Sequence, residues 1–342
     1  MKDKIILVAF LAICMIAMPL MLGSKAANLD PEAAQEPTAP NGSLISADGK
    51  IYFTVYNKKE DHIMELEGLE YITCVVAAEM PASFQDEALK AQAVAAFTYA
   101  LNRKENGGDP DRHKGAEVCT DSTHCKAYAS VEQLKERWGD DFEMYYNKVR
   151  RAVSSVYGEM LTYNDEPIEA VFHAISPGTT EEAKNIWGND VPYLVSSDSS
   201  WDENVSGYET TVKVSQKELK QIVTDYNSSA EFPKKPEQWI GKIVYSDVGG
   251  VMSIELGGVA ITGAKMRDLF GLRSIYFTTK YDDGNFIFTV HGYGHGVGMS
   301  QYGANYLAQQ GVGYKDILYH YYSGVTLENY FVRQAQEEQG EA

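Results

Sequence analysis

Leu69-Glu-Tyr-Ile-Thr-Cys-Val-Val-Ala-Ala-Glu-Met-Pro81 is the stretch from which the rest of the chain can be read. Its apolar run predicts a helix over residues 69–80 that stops at Pro81, because the position before a proline disfavours helical backbone. Ser83 with Asp86 three residues on is a capping-box pattern and predicts a second helix. Leu89, Ala93, Phe97 and Leu101 give that helix a buried stripe at helical spacing. Glu79 therefore closes an apolar helix. Burial and the negative end of the helix dipole both disfavour its charged form, so its pKa should rise. A general acid working near neutrality needs such a group. A capped glutamate ending a core helix gives the same pattern, and the motif alone favours that plainer role. Glu87 lies on a polar stretch and reads as solvated.

Working outward toward the N-terminus, residues 51–56 and 63–66 read as short strands. Residues 28–46 carry Pro31, Pro37 and Pro40 with no helical or strand period, and so form a linker, bounded here as 27–46. Residues 5–22 are an apolar run of 18 behind Lys2 and Lys4. That is long enough for a transmembrane anchor with a stub at 1–4. Cleavage after Ser24-Lys25-Ala26 is the alternative. Both send the remainder, residues 47–335, outside the cytoplasm, and the anchored reading gives a single-pass cell-membrane protein.

Toward the C-terminus, residues 102–114 read as loop and 131–156 as helix. Strands are predicted at 159–163, 168–173, 242–246, 251–256 and 285–290. Helices are predicted at 216–226, 263–269 and 300–310, and residues 334–342 read as frayed. The class is α+β: a helical first part carrying Glu79 and a strand-rich second part, with two lobes conceivable at 47–160 and 161–335. The chain has 342 residues, 44% of them hydrophobic, and a net charge of −18 from 48 acidic and 30 basic residues. No basic run breaks that balance, which excludes nucleic acid as a partner. The 23 tyrosines are core material that can also stack on sugar rings.

Three further groups carry chemistry. His113, Cys119, His124 and Cys125 crowd one polar loop, where two thiolates and an imidazole are usual zinc ligands. A disulfide suits an oxidising exterior as well, and spacing does not choose between them. Cys74, in the apolar helix, reads as core. His291-Gly-Tyr-Gly-His-Gly-Val-Gly-Met-Ser-Gln-Tyr-Gly-Ala304 has glycine at every second position and matches no nucleotide loop. Its glycines let the backbone approach either another strand or a ligand. His295, Ser300, Gln301 and Tyr302 are its candidate sugar contacts. The segment Glu169-Ala-Val-Phe-His-Ala-Ile-Ser-Pro177, followed by Trp187 and Pro192-Tyr-Leu194, adds His173, Ser176 and Tyr193 to that set. His173 on an apolar strand also suits a plain core role, and Trp187 suits either core or a stacking platform.

These stretches, with Glu87-Ala-Leu-Lys-Ala-Gln-Ala-Val-Ala-Ala96 and Asp121-Ser-Thr-His-Cys125, resemble the stage II sporulation protein D family. They fall in the family's order between about residues 50 and 330. The resemblance implies a lytic transglycosylase acting on peptidoglycan glycan strands without stem peptides, during engulfment in endospore formation. It places the acid/base on Glu79 and, in zinc-binding members, the ligands on His113, Cys119 and Cys125. It implies as partners a sporulation amidase/endopeptidase and other engulfment membrane proteins. Relatives named as amidase enhancers leave a non-catalytic glycan-binding role as the rival. Phe97 stands where the family usually has Arg, and Pro177 where it has Gly.

Overall fold

The helix predicted over 69–80 is present in the computed structural model, which describes residue 46 and residues 48–340. It follows a hairpin of β1 (Tyr52–Asn57) and β2 (His62–Glu67), in which Phe53 and Val55 point inward from β1. Helix α1 spans Gly68–Glu79, and the Glu67 carboxylate caps it by accepting from the Leu69 and Glu70 amides. Met80 is already extended, at φ −117 and ψ 145, as the following proline requires. Helix α2 (Asp86–Glu105) runs through the middle of the fold with nearly every side chain from Ala88 to Leu101 buried. The expected capping box does not form. Gln85 is the N-cap and has no side-chain cap bond, and its amide donates to Asn305 Oδ1 at 2.9 Å instead.

The loop expected over 102–114 is shorter than predicted. α2 continues to Glu105, and α3 (Pro110–His113) forms because Asp109 accepts from the Arg112 amide while Pro110 takes the first turn. β3 (Val118–Cys119) then pairs in parallel with β1. The single helix expected over 131–156 is two, α4 (Val131–Trp138) and α5 (Phe142–Val156). Between them Gly139 takes a φ of 51, outside the helical well. A capping box of Ser130 and Gln133 opens α4.

Of the strand expected over 168–173 only Phe172–His173 is formed, and it pairs with Met299–Ser300. Glu209–Ser215, Phe277–Asp282 and Asn285–His291 form one antiparallel sheet. Ile240–Tyr245, Val251–Leu256 and Val259–Thr262 form another. The predicted helices at 216–226 and 263–269 appear as Gln216–Tyr226 and Gly263–Phe270. Of residues 334–342, expected to fray, 334–340 lie in a helix, Tyr330–Gly340. It is preceded by the strand Thr326–Asn329, which pairs with Glu159–Tyr163.

The class is α+β, as the periodicities indicate. Buried apolar residues fall into two clusters. One takes its members from Ile51 to Leu194 and resumes at Val297, and the other runs from Val214 to Val290. The predicted anchor and nearly all of the linker lie outside the described residues. Among the described residues no helix is long and apolar enough to cross a membrane.

Candidate active site and metal centre

Glu79 stands half-buried at the end of α1. Its Oε1 accepts from the Ala127 amide at 2.6 Å and its Oε2 from Gln301 Nε2 at 3.5 Å. Gln301 is itself oriented by Gln92, buried in α2, through a 3.3 Å bond. Burial pushes the Glu79 carboxyl up from its ordinary range; Lys126, the Ala127 amide and Gln301 each pull it part of the way back. None of these partners is a second carboxylate.

Lys126 was not legible as a site residue. It is buried, and its ammonium lies between two rings, 4.2 Å from the centroid of Tyr99 and 3.9 Å from that of Phe172. Each such contact contributes about 0.5–2 kcal/mol. Burial pushes its pKa down to about 8, with the Glu79 charge the chief opposing influence. The only signal in the sequence was a lysine between Cys125 and Ala127, and no spacing rule marks it.

The glycine-rich segment approaches another strand. A Cβ on Gly298 would sit 2.2 Å from the Val171 carbonyl oxygen, and one on Gly294 would sit 2.7 Å from His173 Cβ. Both glycines have positive φ, 70 and 117, so close contact and backbone conformation each require the missing side chain. Of the two readings the sequence left open, the strand is the one realised. His173 Nδ1 bonds the Val297 carbonyl at 3.1 Å, and its buried Nε2 has no partner. Burial holds it down to about 4, so the ring is neutral. His295 is likewise held well below its usual value, by burial and by the neighbouring His173 and Lys126. Its ring lies 5.7 Å from that of His173 and 5.3 Å from Trp187. Trp187 is 45% exposed, which leaves a face free for stacking.

Other predicted contacts have interior partners. Ser300 is fully buried; its hydroxyl donates to Asp202 Oδ2 at 2.5 Å and caps the helix Gln301–Gln309 by accepting from Gly303. Ser176, also buried, gives its amide to the same oxygen at 2.7 Å. Both serines therefore build the wall behind Gln301 and are not placed to meet a sugar. The Tyr193 hydroxyl accepts from the Glu169 amide at 3.1 Å, and Tyr302 packs edge-on against Phe84. Phe97 packs among Phe53, Tyr157 and Tyr330, with no bond to Glu79. Pro177 accepts at its carbonyl from the Tyr208 hydroxyl.

His113, Cys119, His124 and Cys125 converge, with one donor atom each and all four within 4.8 Å of one another. Four of the six separations run from 3.0 Å, His113 Nε2 to His124 Nδ1, to 3.7 Å, Cys125 Sγ to His124 Nδ1. A tetrahedron about zinc has edges of about 3.3–3.8 Å, given the usual Zn–S and Zn–N lengths. The unused ring nitrogens are also engaged: His124 Nε2 meets Asp109 Oδ2 at 3.3 Å, and His113 Nδ1 meets the Ala116 carbonyl at 3.2 Å. Such outer partners fix which nitrogen faces an ion. The bond between the two thiols pulls Cys125 down and pushes Cys119 up, so the pair readily gives up the first of its two protons. Both cysteines are free. The donors thus fit a closed tetrahedral ion, with His124 as the fourth ligand the sequence left open. The same loop, running directly on from Cys125, supplies Lys126 and the Ala127 amide to Glu79.

An α+β chain with one poised carboxylate and an adjoining Cys2His2 donor set is the class this geometry defines. A family model described as stage II sporulation protein matches residues 56–163, which include Glu79 and all four donors. Stage II sporulation protein D of Bacillus amyloliquefaciens is 36% identical over 274 residues, covering 80% of this chain and 77% of its own. The protein of the same name from Bacillus subtilis (strain 168) is 34% identical over 296 residues, covering 85% and 83%. An amidase enhancer of Bacillus subtilis (strain 168) is 27% identical over 305 residues, covering 75% of this chain and 40% of the enhancer. The chain belongs to the stage II sporulation protein D family.

Proposed function

We propose that the protein is a lytic transglycosylase that cleaves peptidoglycan glycan strands lacking stem peptides, leaving 1,6-anhydro-muramyl ends, during engulfment in endospore formation. The observation that carries this reading is Glu79: a half-buried carboxyl with a raised pKa whose partners include an amide N–H, an amide side chain and a cation, but no carboxylate. Ordinary glycosidases need a pair of carboxylates. Anhydro-ring formation needs one. Protonated Glu79 gives its proton to the bridging oxygen as the bond to muramic carbon 1 breaks. The 6-hydroxyl oxygen of the same sugar bonds carbon 1, and the Glu79 carboxylate takes up that hydroxyl's proton. No water is consumed, and Glu79 ends as it began. The Ala127 amide and Gln301 hold the carboxyl in place throughout, and Trp187 offers a ring for stacking.

On this reading His113, Cys119, His124 and Cys125 hold a zinc ion that cross-links the loop and takes no part in the reaction, since all four positions are filled by protein. The apolar run at 5–22 anchors the protein in the cell membrane with the folded region outside. An amidase/endopeptidase that strips stem peptides and other engulfment membrane proteins are its partners. The likeness to an amidase enhancer favours a second reading, a glycan-binding activator that cuts nothing. Incubation of the protein with denuded glycan strands separates the two. Anhydro ends that appear with the wild type and vanish with Glu79→Ala support the enzyme; amidase stimulation that survives Glu79→Ala, with no anhydro ends, supports the activator. New reducing ends would refute the anhydro mechanism.

A further inference from the structure

Lys126 is a buried cation whose chief acidic neighbour, Glu79, does not close to an ion pair with it. The neighbouring cation is paired: Arg103, whose guanidinium also lies against the Tyr99 ring, meets Glu169. Among the described residues Lys126 makes no ion pair and donates no side-chain hydrogen bond, although it is only 6% exposed. Two aromatic faces hold its ammonium but accept none of its three N–H bonds as an oxygen would. Leaving a charge buried and unpaired is costly unless a ligand completes it. The next residue, Ala127, gives its amide to Glu79 Oε1 at 2.6 Å, which sets Lys126 beside that carboxyl. Over the whole chain the net charge is −18, so an anionic group approaching this site needs a local cation to meet it.

We propose that Lys126 recognises a carboxylate on the sugar bound at Glu79, namely the free lactyl carboxylate of muramic acid. This rests on the glycan-cleaving reading above. The lactyl group hangs from carbon 3 of the ring whose carbon 1 reacts, so it enters the site with the scissile bond. When a stem peptide is attached, that carboxyl is an amide and carries no charge. With the stem removed it is an anion, and Lys126 can give it a charge-assisted hydrogen bond. Preference for stripped glycan over peptide-bearing glycan then follows from one side chain of this chain.

The full-length Glu79→Gln protein, which binds without turning over, tests this in calorimetry. Its ligands are a muramic-acid-containing tetrasaccharide with free lactyl groups and the same tetrasaccharide with those groups converted to methylamides. The free acid is expected to bind at least about tenfold more tightly, and Glu79→Gln/Lys126→Met to bind the two alike. Equal binding by Glu79→Gln, or a preference that survives Lys126→Met, overturns the assignment while leaving glycan binding intact. Failure to bind either sugar overturns the glycan reading and the assignment with it. Should Lys126→Met not fold, the acid-against-amide comparison in Glu79→Gln decides alone.

Discussion

Two carboxyls flank the start of the helix Gln301–Gln309, and burial raises the pKa of both, yet they are built for different ends. Glu79 on one side is half-buried and reached by a side-chain amide, a backbone amide and a cation. Asp202 on the other is fully buried, raised to about 6, and closed in by Ser176, Ser199 and Ser300. A raised pKa therefore does not by itself identify an acid catalyst. Access separates the two: Glu79 is only half-buried, whereas Asp202 Oδ1 is sealed without any partner. Asp202 acts through Ser300, which caps the helix and so aims Gln301 at Glu79.

The largest effect that would break this contrast concerns catalysis. Glu79→Gln should lower glycan cleavage by about 10²–10⁴-fold while leaving the melting temperature nearly unchanged. Asp202→Asn should do the reverse, with cleavage largely kept and the melting temperature lowered; comparable loss of cleavage in both would erase the distinction.

A smaller effect lies in the pH dependence of stability. The folded value of Asp202, about 6, exceeds the 3.8 of a free side chain, so the native state binds the proton more tightly than the unfolded one. Its contribution is fully present below about pH 4 and is lost as pH rises through about 6, by up to about 3 kcal/mol. Denaturant titrations between pH 4 and 7 should show that slope in the wild type and a flatter one in Asp202→Asn. An unchanged slope would assign the raised pKa to another group.

Beside Glu79 the loop 119–127 offers a further lever. If the four donors hold zinc as proposed, Cys125→Ser should lower the zinc content read by elemental analysis and the melting temperature by several degrees, because the closed set loses a ligand. Cleavage should fall with it, since Ala127 loses its anchor. A metal-free wild type that melts and cuts normally would count against the tetrahedral centre. Least affected should be Trp187→Ala. Loss of one stacking face is worth about 0.5–1.5 kcal/mol, read as a few-fold rise in KM with kcat and melting temperature unmoved.

Much of the fold was legible. The apolar run before Glu79 set the limits of α1, because proline and hydrophobic periodicity are local signals, and strands 251–256 and 285–290 were found from alternation alone. The misses have two different origins. Ser83 and Asp86 have the spacing of a capping box, but Gln85 is held by Asn305, which lies 220 residues away in sequence. Gly139 looked like one residue within a helical pattern, and only its positive φ divides the helix. Among the candidate site residues, Glu79, Gln301, His295 and three of the four His/Cys donors could be singled out from sequence because chemistry and motif coincide there. Ser176 and Ser300 were misjudged as sugar contacts, since exposure is not a property of a residue type.

By itself, then, the sequence determined that a carboxyl would end a buried helix, that thiols and imidazoles would share one loop, and that alternating glycines would allow a close backbone approach. Each follows from interactions among near neighbours along the chain. Tertiary structure alone decided that the glycines pack against residues 171–175, that His124 completes the donor set, that Asp202 stands behind Gln301, and that Lys126 lies unpaired beside Glu79. Those outcomes depend on which distant segments meet and on which polar atoms are left without water or a partner, and no local pattern encodes either.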